Sequence, residues 1–597
     1  MSLQDPKTAQ SGTLCVVNFN VLMQNFVFIR RSILFGLIAL SSFGSIARAQ
    51  REAPLPRKYA GPPTVADITA GDLMTRVYKF ADDSMMGRSV GTVFNDMGTA
   101  YIESEVRRLG LQPAGDNGTF FQKVPIYQRT LDSTSTITAD GVTLKAGKDF
   151  TASAEGFMRA FESAQVVFVG PWVDTTANIP ADSVKGKLLI FAPGGISPSA
   201  DASKFVASNG YRKWVEMREA AAAYAIIRGE VLSPALVRAA FNNMSPMYLQ
   251  DTVQVVLNIT RSTAESLLGA PLSAWQNRLA GKTVKAEIRF IDTSLPGRNV
   301  VAIVPGSDPV LKNQYVAIGA HNDHIGLRQQ AVDHDSIKAY MQVVRPQGAD
   351  SPNRPPTAEE ASRVRAILDS LRAISSPRRD SINNGADDDA SGSMTVLEIA
   401  EAFAKGSQKP KRSIIFVWHT GEERGLWGAN YFTAHPTVPR DSIVGQLNMD
   451  MVGRGGANDV TGEDLEQKEL RGGEGYVQLI GSRRLSTEMG DLLEKVNQEK
   501  KLGLRFDYAM DANGHQQNIY CRSDHYEYAK FGIPITFITT GGHADYHQVT
   551  DEPQYIDYPH MTKVAQFVYE SALAIGNLPN RLKVDKPKPD PKGECVQ

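Results

Sequence analysis

Only three cysteines occur in 597 residues, and their positions leave little room for disulfide chemistry. Cys15 falls in an N-terminal stretch expected to be removed. Cys521 and Cys595 can pair only if the tail folds back, and Cys595 sits in a Lys/Pro/Asp-rich end, 581–597, that reads as disordered. No disulfide framework is expected, and a cysteine-based zinc cluster is excluded. An excess of charge of one sign is missing too. The 64 Lys and Arg nearly cancel the 65 Asp and Glu, so no broad field exists to hold nucleic acid or an anionic membrane. The apolar stretch Ile33 to Leu40 is too short to span a bilayer as a stop-transfer helix. Neither H-E-x-x-H nor H-x-x-E-H occurs, which excludes the helix-borne single-zinc motifs. No repeat of 20 to 50 residues is visible. Function must therefore come from a local site.

The chain opens on a targeting pattern. Arg30-Arg31 precede the apolar stretch, and small residues with Ala47-Arg48-Ala49 follow it. This order of basic, apolar and A-x-A segments predicts a signal peptide over 1–49, cleaved after Ala49, with Met23 as an alternative start. The mature protein is then secreted or periplasmic, with no stable membrane insertion. A Pro-rich linker follows over 50–65. Helical patterns occupy 66–125, where Met97, Tyr101, Ile102, Val106 and Leu109 recur at helical spacing. Over 126–292 short strands such as "AQVVFVG" and "GKLLIFAPG" predict a small β-rich module.

From 293 to 580 continuous apolar runs alternate with helices: "NVVAIVPG", "YVAIGAH", "SIIFVWHT", "VGQLNMDMVG" and "IPITFITTG". Runs of that kind are strands buried on both faces. The predicted fold is α/β, a mixed, mostly parallel sheet sandwiched by helices. "SGSMTVLEIAEAFAKG" carries an apolar stripe at Met394, Leu397, Ala400 and Phe403, with polar residues opposite. The stretch 328–382 interrupts the alternation and reads as a surface insertion.

In open α/β sheets, sites form beyond the carboxyl ends of the strands. Metal-capable side chains stand at each predicted end: His321 and Asp323, then Glu422 and Glu423, then Asp450, then His543, Asp545 and His547, with Asp387, Asp388 and Asp389 ahead of the amphipathic helix. Imidazoles and carboxylates without thiolate suit zinc. A cation between them also explains why Glu422 and Glu423 stand side by side after a buried strand.

"GAHNDH", "NNGADDDASG", "HTGEERGLWGANYF", "LNMDMVGR", "SDHYEYAKFGIP" and "DYHQVTDEP", in this order, resemble the zinc aminopeptidases of peptidase family twenty-eight, with a zinc-exopeptidase (phosphorylase/hydrolase-like) fold. The resemblance covers about 298–578. The 126–292 module is similar to the protease-associated domain often inserted in that family. The resemblance implies two Zn²⁺ ions, with His321 and Asp450 on one, Glu423 and His547 on the other, and Asp388 bridging. It makes Glu422 the general base, Asp323 the acid that orients His321, and Tyr546 a hydrogen-bond donor to the oxyanion. The Asp388-Asp389 bond resembles a peptide that is often cis in the family. Peptides are the implied substrates, and the oligomeric state, monomer or homodimer, stays open. A glutamate-carboxypeptidase type of activity, a single-zinc glutaminyl cyclase and a non-catalytic receptor-like homologue remain alternatives. A carboxypeptidase would need arginines on the substrate carboxylate, for which Arg454 and Arg522 are candidates. His324, His419 and His525 are expected behind the site or at the surface, His334 and His515 in solvated loops, and Trp418 and Trp427 in the core.

Overall fold

The five apolar runs become strands of one sheet. The computed structural model describes residues 55–597 except 154–158, 172–178, 193–216, 218, 219, 243–245, 249–254, 276–278, 375, 592 and 594; the expected signal peptide lies outside the described residues. Four strands at the centre, Ser413–His419, Tyr315–His321, Ile443–Met449 and Ile535–Thr539, run parallel in that spatial order. Antiparallel neighbours flank them, Arg298–Val304 on one side and Tyr476–Ile480 on the other. Every residue of the strands Ser413–His419 and Ile443–Met449 is buried, because helices cover both faces. On one face lie Ala70–Phe80, Val93–Leu109, Gly392–Lys405, Thr487–Lys500 and Tyr558–Asn577. On the other lie Trp427–Ala434 and His525–Ala529. Parallel strands need such crossovers, and the crossovers bury both faces.

The helix Gly392–Lys405 departs from the amphipathic reading. It is buried on all sides from Gly392 to Phe403, Glu398 and Glu401 included. The N-terminal helices cover its expected polar face, and a buried arginine answers its acids. Arg76, with no solvent exposure, donates to Glu398 at 2.9 Å and Glu105 at 3.1 Å and pairs with Glu401. Burial pushes the Glu398 carboxyl up to about 7 against the opposing pull of Arg76. Removing one partner of such a cluster strands the others' charge. Arg76→Ala is expected to cost about 3–5 kcal/mol in urea unfolding, and Arg76→Met with Glu398→Gln much less than the sum of the two single changes. Val93–Leu109 buries Ile102, Val106 and Leu109 as its spacing predicts, but Met97 is 41% exposed. The small Gly98 and Thr99 take the inward place beside it, so close packing on Phe80 and Arg88 replaces a larger side chain.

The 126–292 stretch has its own core, including Ile137, Phe150, Leu188, Ala225, Leu257 and Ile288. Its eight-stranded sheet has a parallel centre of Arg159–Pro171, Leu188–Ala192, Ala223–Ile227 and Val256–Ile259. The chain enters through Ile126–Leu131 and leaves through Phe290–Leu295. These two pair antiparallel over six residues, so the module rejoins the parent fold almost where it left.

Two expectations are corrected. The tail does fold back: Cys595 is disulfide-bonded to Cys521. Gln597 is buried, donating to Ala512 O at 3.0 Å and accepting from the Tyr520 N–H at 2.9 Å. The composition of the tail hid this, because two terminal residues supply the anchor. The bridge closes 74 residues of chain, and Cys595→Ser is expected to lower unfolding free energy by about 2–4 kcal/mol, an effect that reductant should reproduce in the unmutated protein and not in the variant. The 328–382 insertion is likewise more than surface. Its second helix, Ala358–Arg372, has no fully buried residue, but His334–Val344 buries His334, Lys338, Met341 and Val344.

Candidate metal centre

The parallel strands end together, and the loops that follow supply the site. Asp388 stands at its middle. Its Oδ1 lies 3.1 Å from His321 Nε2, and its Oδ2 lies 3.0 Å from His547 Nε2. His321 Nε2 is 3.6 Å from Asp450 Oδ1, and His547 Nε2 is 2.9 Å from Glu423 Oε2. Two donor groups therefore share one carboxylate: His321, Asp388 and Asp450, and His324, Asp388, Glu423 and His547. The donor set fits a pair of borderline divalent ions. His324 Nε2 is buried without a hydrogen-bond partner, which is costly unless something else satisfies it, while His321 Nε2 and His324 Nδ1 have only carboxylate oxygens of the same cluster within reach.

Local backbone chemistry sets these positions. Gly385 has φ +58°, and a Cβ there would fall 2.5 Å from the His324 ring, so only glycine admits the turn that brings Asp388 in. The Asp388-Asp389 peptide is cis. The other acids of the triple face elsewhere. Asp387 accepts from Gly453 N–H at 2.6 Å and from His543 at 3.0 Å. Asp389 accepts from the N–H groups of His321 at 3.1 Å and Gly392 at 2.8 Å. Asp551 in turn receives the N–H groups of Asp387 and Asp388. These buried acids tie the loops to one another instead of facing the centre. Asp545 does the same at larger scale. Burial alone would raise its pKa, but Lys338 and Arg454, at 3.0 and 2.9 Å, hold it far below the carboxylate range.

Asp323 is placed differently from the expectation. The His321 Nδ1–H donates to the Asp323 backbone carbonyl at 3.1 Å, while the carboxylate lies 3.7 Å away, too far for a hydrogen bond. That carboxylate accepts the Glu422 N–H at 3.1 Å. It thus holds the glutamate turn while its carbonyl fixes the histidine ring. Asp450 is steadied by Ser523 Oγ at 2.8 Å. Glu422 reaches to 3.9 Å from His321 Nε2 on the open side of the cluster. Its burial, with Asp450 and Glu423 nearby, pushes its carboxyl well above the usual range despite His321. Tyr546 stacks on His547 with ring centroids 4.0 Å apart.

His324 is the residue that sequence reasoning missed. It is buried, and its Nδ1 lies 2.6 Å from Glu423 Oε1. The signal was its place three residues after His321 in the same strand-end loop, which composition alone could not weight. His419 and His525 are also buried, not exposed. His419 bonds Tyr528 Oη at 2.9 Å, and His525 stacks on Phe537, where burial lowers it to about 3. His334 and His515, expected in solvent, are buried on Glu552 at 2.8 Å and on the Glu463 carbonyl at 2.7 Å. Trp418 is fully buried and Trp427 partly so.

Beside the centre opens a cleft that Asp388, Glu422 and Asp450 share. Met451, Met510, Ile519 and Phe537 give it apolar walls, and Tyr546 and Arg522 stand at its margin.

Residues 299–572 match the family model described as peptidase family M28. Over 339 residues the chain is 23% identical to leucine aminopeptidase 1 of Trichophyton equinum; the match covers 55% of this chain and 66%, just under two thirds, of that relative. A shorter match, 39% over 77 residues, covers 12% of this chain and 18% of leupeptin-inactivating enzyme 1 of Streptomyces exfoliatus. Among solved structures, an aminopeptidase from Aneurinibacillus sp. strain AM-1 is similar at 17% identity and a TM-score of 0.42, with 87% of this chain and 98% of that one covered. The segment that matches the M28 family model, residues 299–572, holds every residue of both donor groups.

Proposed function

We propose that this protein is a secreted di-zinc exopeptidase, an aminopeptidase that removes N-terminal residues from peptides. One observation carries the reading: Asp388 divides its two oxygens between two separate donor groups. His321 and Asp450 would hold one ion, Glu423 and His547 the other, with His324 adding a nitrogen on the second side. Ions so held polarise a carbonyl and acidify water near neutral pH.

The chain's own groups supply the rest. Glu422 takes the proton of the attacking water and passes it to the leaving amine, a transfer for which its place on the open side of the cluster suits it. The Tyr546 hydroxyl donates to the carbonyl oxygen as its charge develops. The substrate ammonium faces Asp450 and Glu422, and its side chain enters the apolar cleft. A carboxypeptidase needs a free arginine at the site. Arg454 is bound to Asp545 at 2.9 Å and Asp459 at 3.1 Å, and Arg522 is held by Asp350 at 2.9 Å, so neither is free. A single-metal cyclase would leave half of the donor set idle.

Secretion is supported by the Cys521–Cys595 disulfide, since such bonds persist in oxidising compartments. No described helix is long and apolar enough to cross a membrane. The 126–292 module, with its paired entry and exit strands, fits an inserted protease-associated domain. The test is a panel of aminoacyl-anilides beside peptides blocked at the N-terminus. Release of anilide from free-amine substrates, best with apolar residues, and none from blocked peptides is expected. C-terminal trimming of the blocked peptides would overturn the reading.

A further inference from the structure

The 328–382 insertion reaches into the cleft through the loop that follows its first helix. Arg345 ties this loop up, donating to Ser351 O at 3.0 Å and Ala349 O at 3.1 Å. Ser351 Oγ accepts the Gln347 N–H at 2.9 Å. The loop is then pressed onto the Tyr546 backbone. The Ala349 N–H donates to Tyr546 O at 3.1 Å. Gly348 has φ +58°, and a Cβ there would lie 2.5 Å from the same carbonyl, so the approach needs glycine. Gln517 Nε2 bonds Gln347 Oε1 at 2.9 Å. A loop held at so many points presents its side chains in fixed places.

The side chain it presents is Asp350. Both of its oxygens bind Arg522, at 2.9 and 3.0 Å, and Arg522 Nη2 also donates to the Tyr546 hydroxyl at 3.3 Å. Asp350 and Arg522 both line the cleft, and Arg522 is the one cation among its described lining residues. A guanidinium forks onto a carboxylate in just this way. An N-terminal glutamate or aspartate in the cleft would compete for the same fork, and Asp350 already fills it.

We propose that Asp350 is a specificity-determining residue: its carboxylate occupies Arg522, cancels the cation at the cleft wall and reserves the cleft for neutral side chains. The insertion then supplies selectivity that the strand-end residues do not. This rests on the aminopeptidase reading, so the test uses turnover and binding together.

The variants are Asp350→Ala, the near-isosteric Asp350→Asn, the charge-retaining Asp350→Glu and the double change Asp350→Ala with Arg522→Gln. Turnover is read as the ratio of kcat/KM for a glutamyl-anilide over a leucyl-anilide, which cancels any common loss. Binding of free glutamate and free leucine is read by calorimetry on the metal-loaded protein. Asp350→Ala and Asp350→Asn are expected to raise both ratios by about tenfold or more, the worth of one charge-assisted hydrogen bond. Asp350→Glu should keep them low, and the double change should return them. Unchanged ratios in Asp350→Asn, or equal shifts in Asp350→Asn and Asp350→Glu, would overturn the proposal. If the unmutated protein hydrolysed neither anilide, the aminopeptidase reading would fall, while the binding ratio would still decide the role of Asp350.

Discussion

Glu422→Gln is expected to fold, to hold its metal and to lose about 10³–10⁴-fold in kcat/KM on a leucyl-anilide. The size follows from a carboxylate used twice, first as proton acceptor and then as donor, at the upper end of what general acid–base catalysis supplies. Glutamine matches glutamate in shape and keeps the turn, whose N–H is held by Asp323. It cannot carry the proton. Melting temperature and metal content, measured on the same preparation, separate loss of chemistry from loss of structure. Retained activity with a normal fold would move the base elsewhere, and Asp450 would be the next group to change, because it also faces His321.

Asp388→Ala should act on the metal instead. Each of its oxygens serves one donor group, so its loss weakens both at once. Bound zinc, measured by elemental analysis after dialysis, is expected to fall from about two ions to below one, with activity down by more than about 10³-fold. Stability should fall as well. In the metal-free chain the Asp388 carboxylate lies 3.1 Å from His321 Nε2 and 3.0 Å from His547 Nε2, and despite burial these rings hold its carboxyl well below the usual range. Metal-free Asp388→Ala is therefore expected to melt below the metal-free parent. Also lost is the stabilisation that zinc gives the parent, about 2.7 kcal/mol at a hundredfold excess over Kd. His324→Ala should weaken one ion by about 10–100-fold and leave the other. Equal loss from both sites would place His324 outside the second donor group.

Much of the centre was legible because buried parallel strands force polar residues to their ends. A run such as Ser413–His419, apolar throughout, can turn polar only where it leaves the sheet, and there Glu422 and Glu423 stand. The same rule marked His321, Asp450 and His547. It could not rank the acids of the Asp387-Asp388-Asp389 triple by chemistry, since all three are buried and only backbone direction distinguishes the one that faces the histidines. Nor could it rank His324, whose ring reaches the cluster because Gly385 leaves space for it. The helix Gly392–Lys405 misled in a different way. Its Glu398 and Glu401 look solvent-facing until Arg76, more than 320 residues earlier, covers them.

By itself the sequence determined the layered α/β order, the strand-end placement of the donors and the kinds of atoms they offer, because local periodicity and side-chain chemistry are properties of neighbouring residues. Tertiary structure alone decided that Asp388 lies between two histidines, that the tail is fastened through Cys595, and that Asp350 of the insertion grips Arg522 in the cleft. Those are contacts between residues from 67 (His321 and Asp388) to 172 (Asp350 and Arg522) positions apart. No window along the chain carries that information, since it arises only when the packed sheet brings its loops to one end.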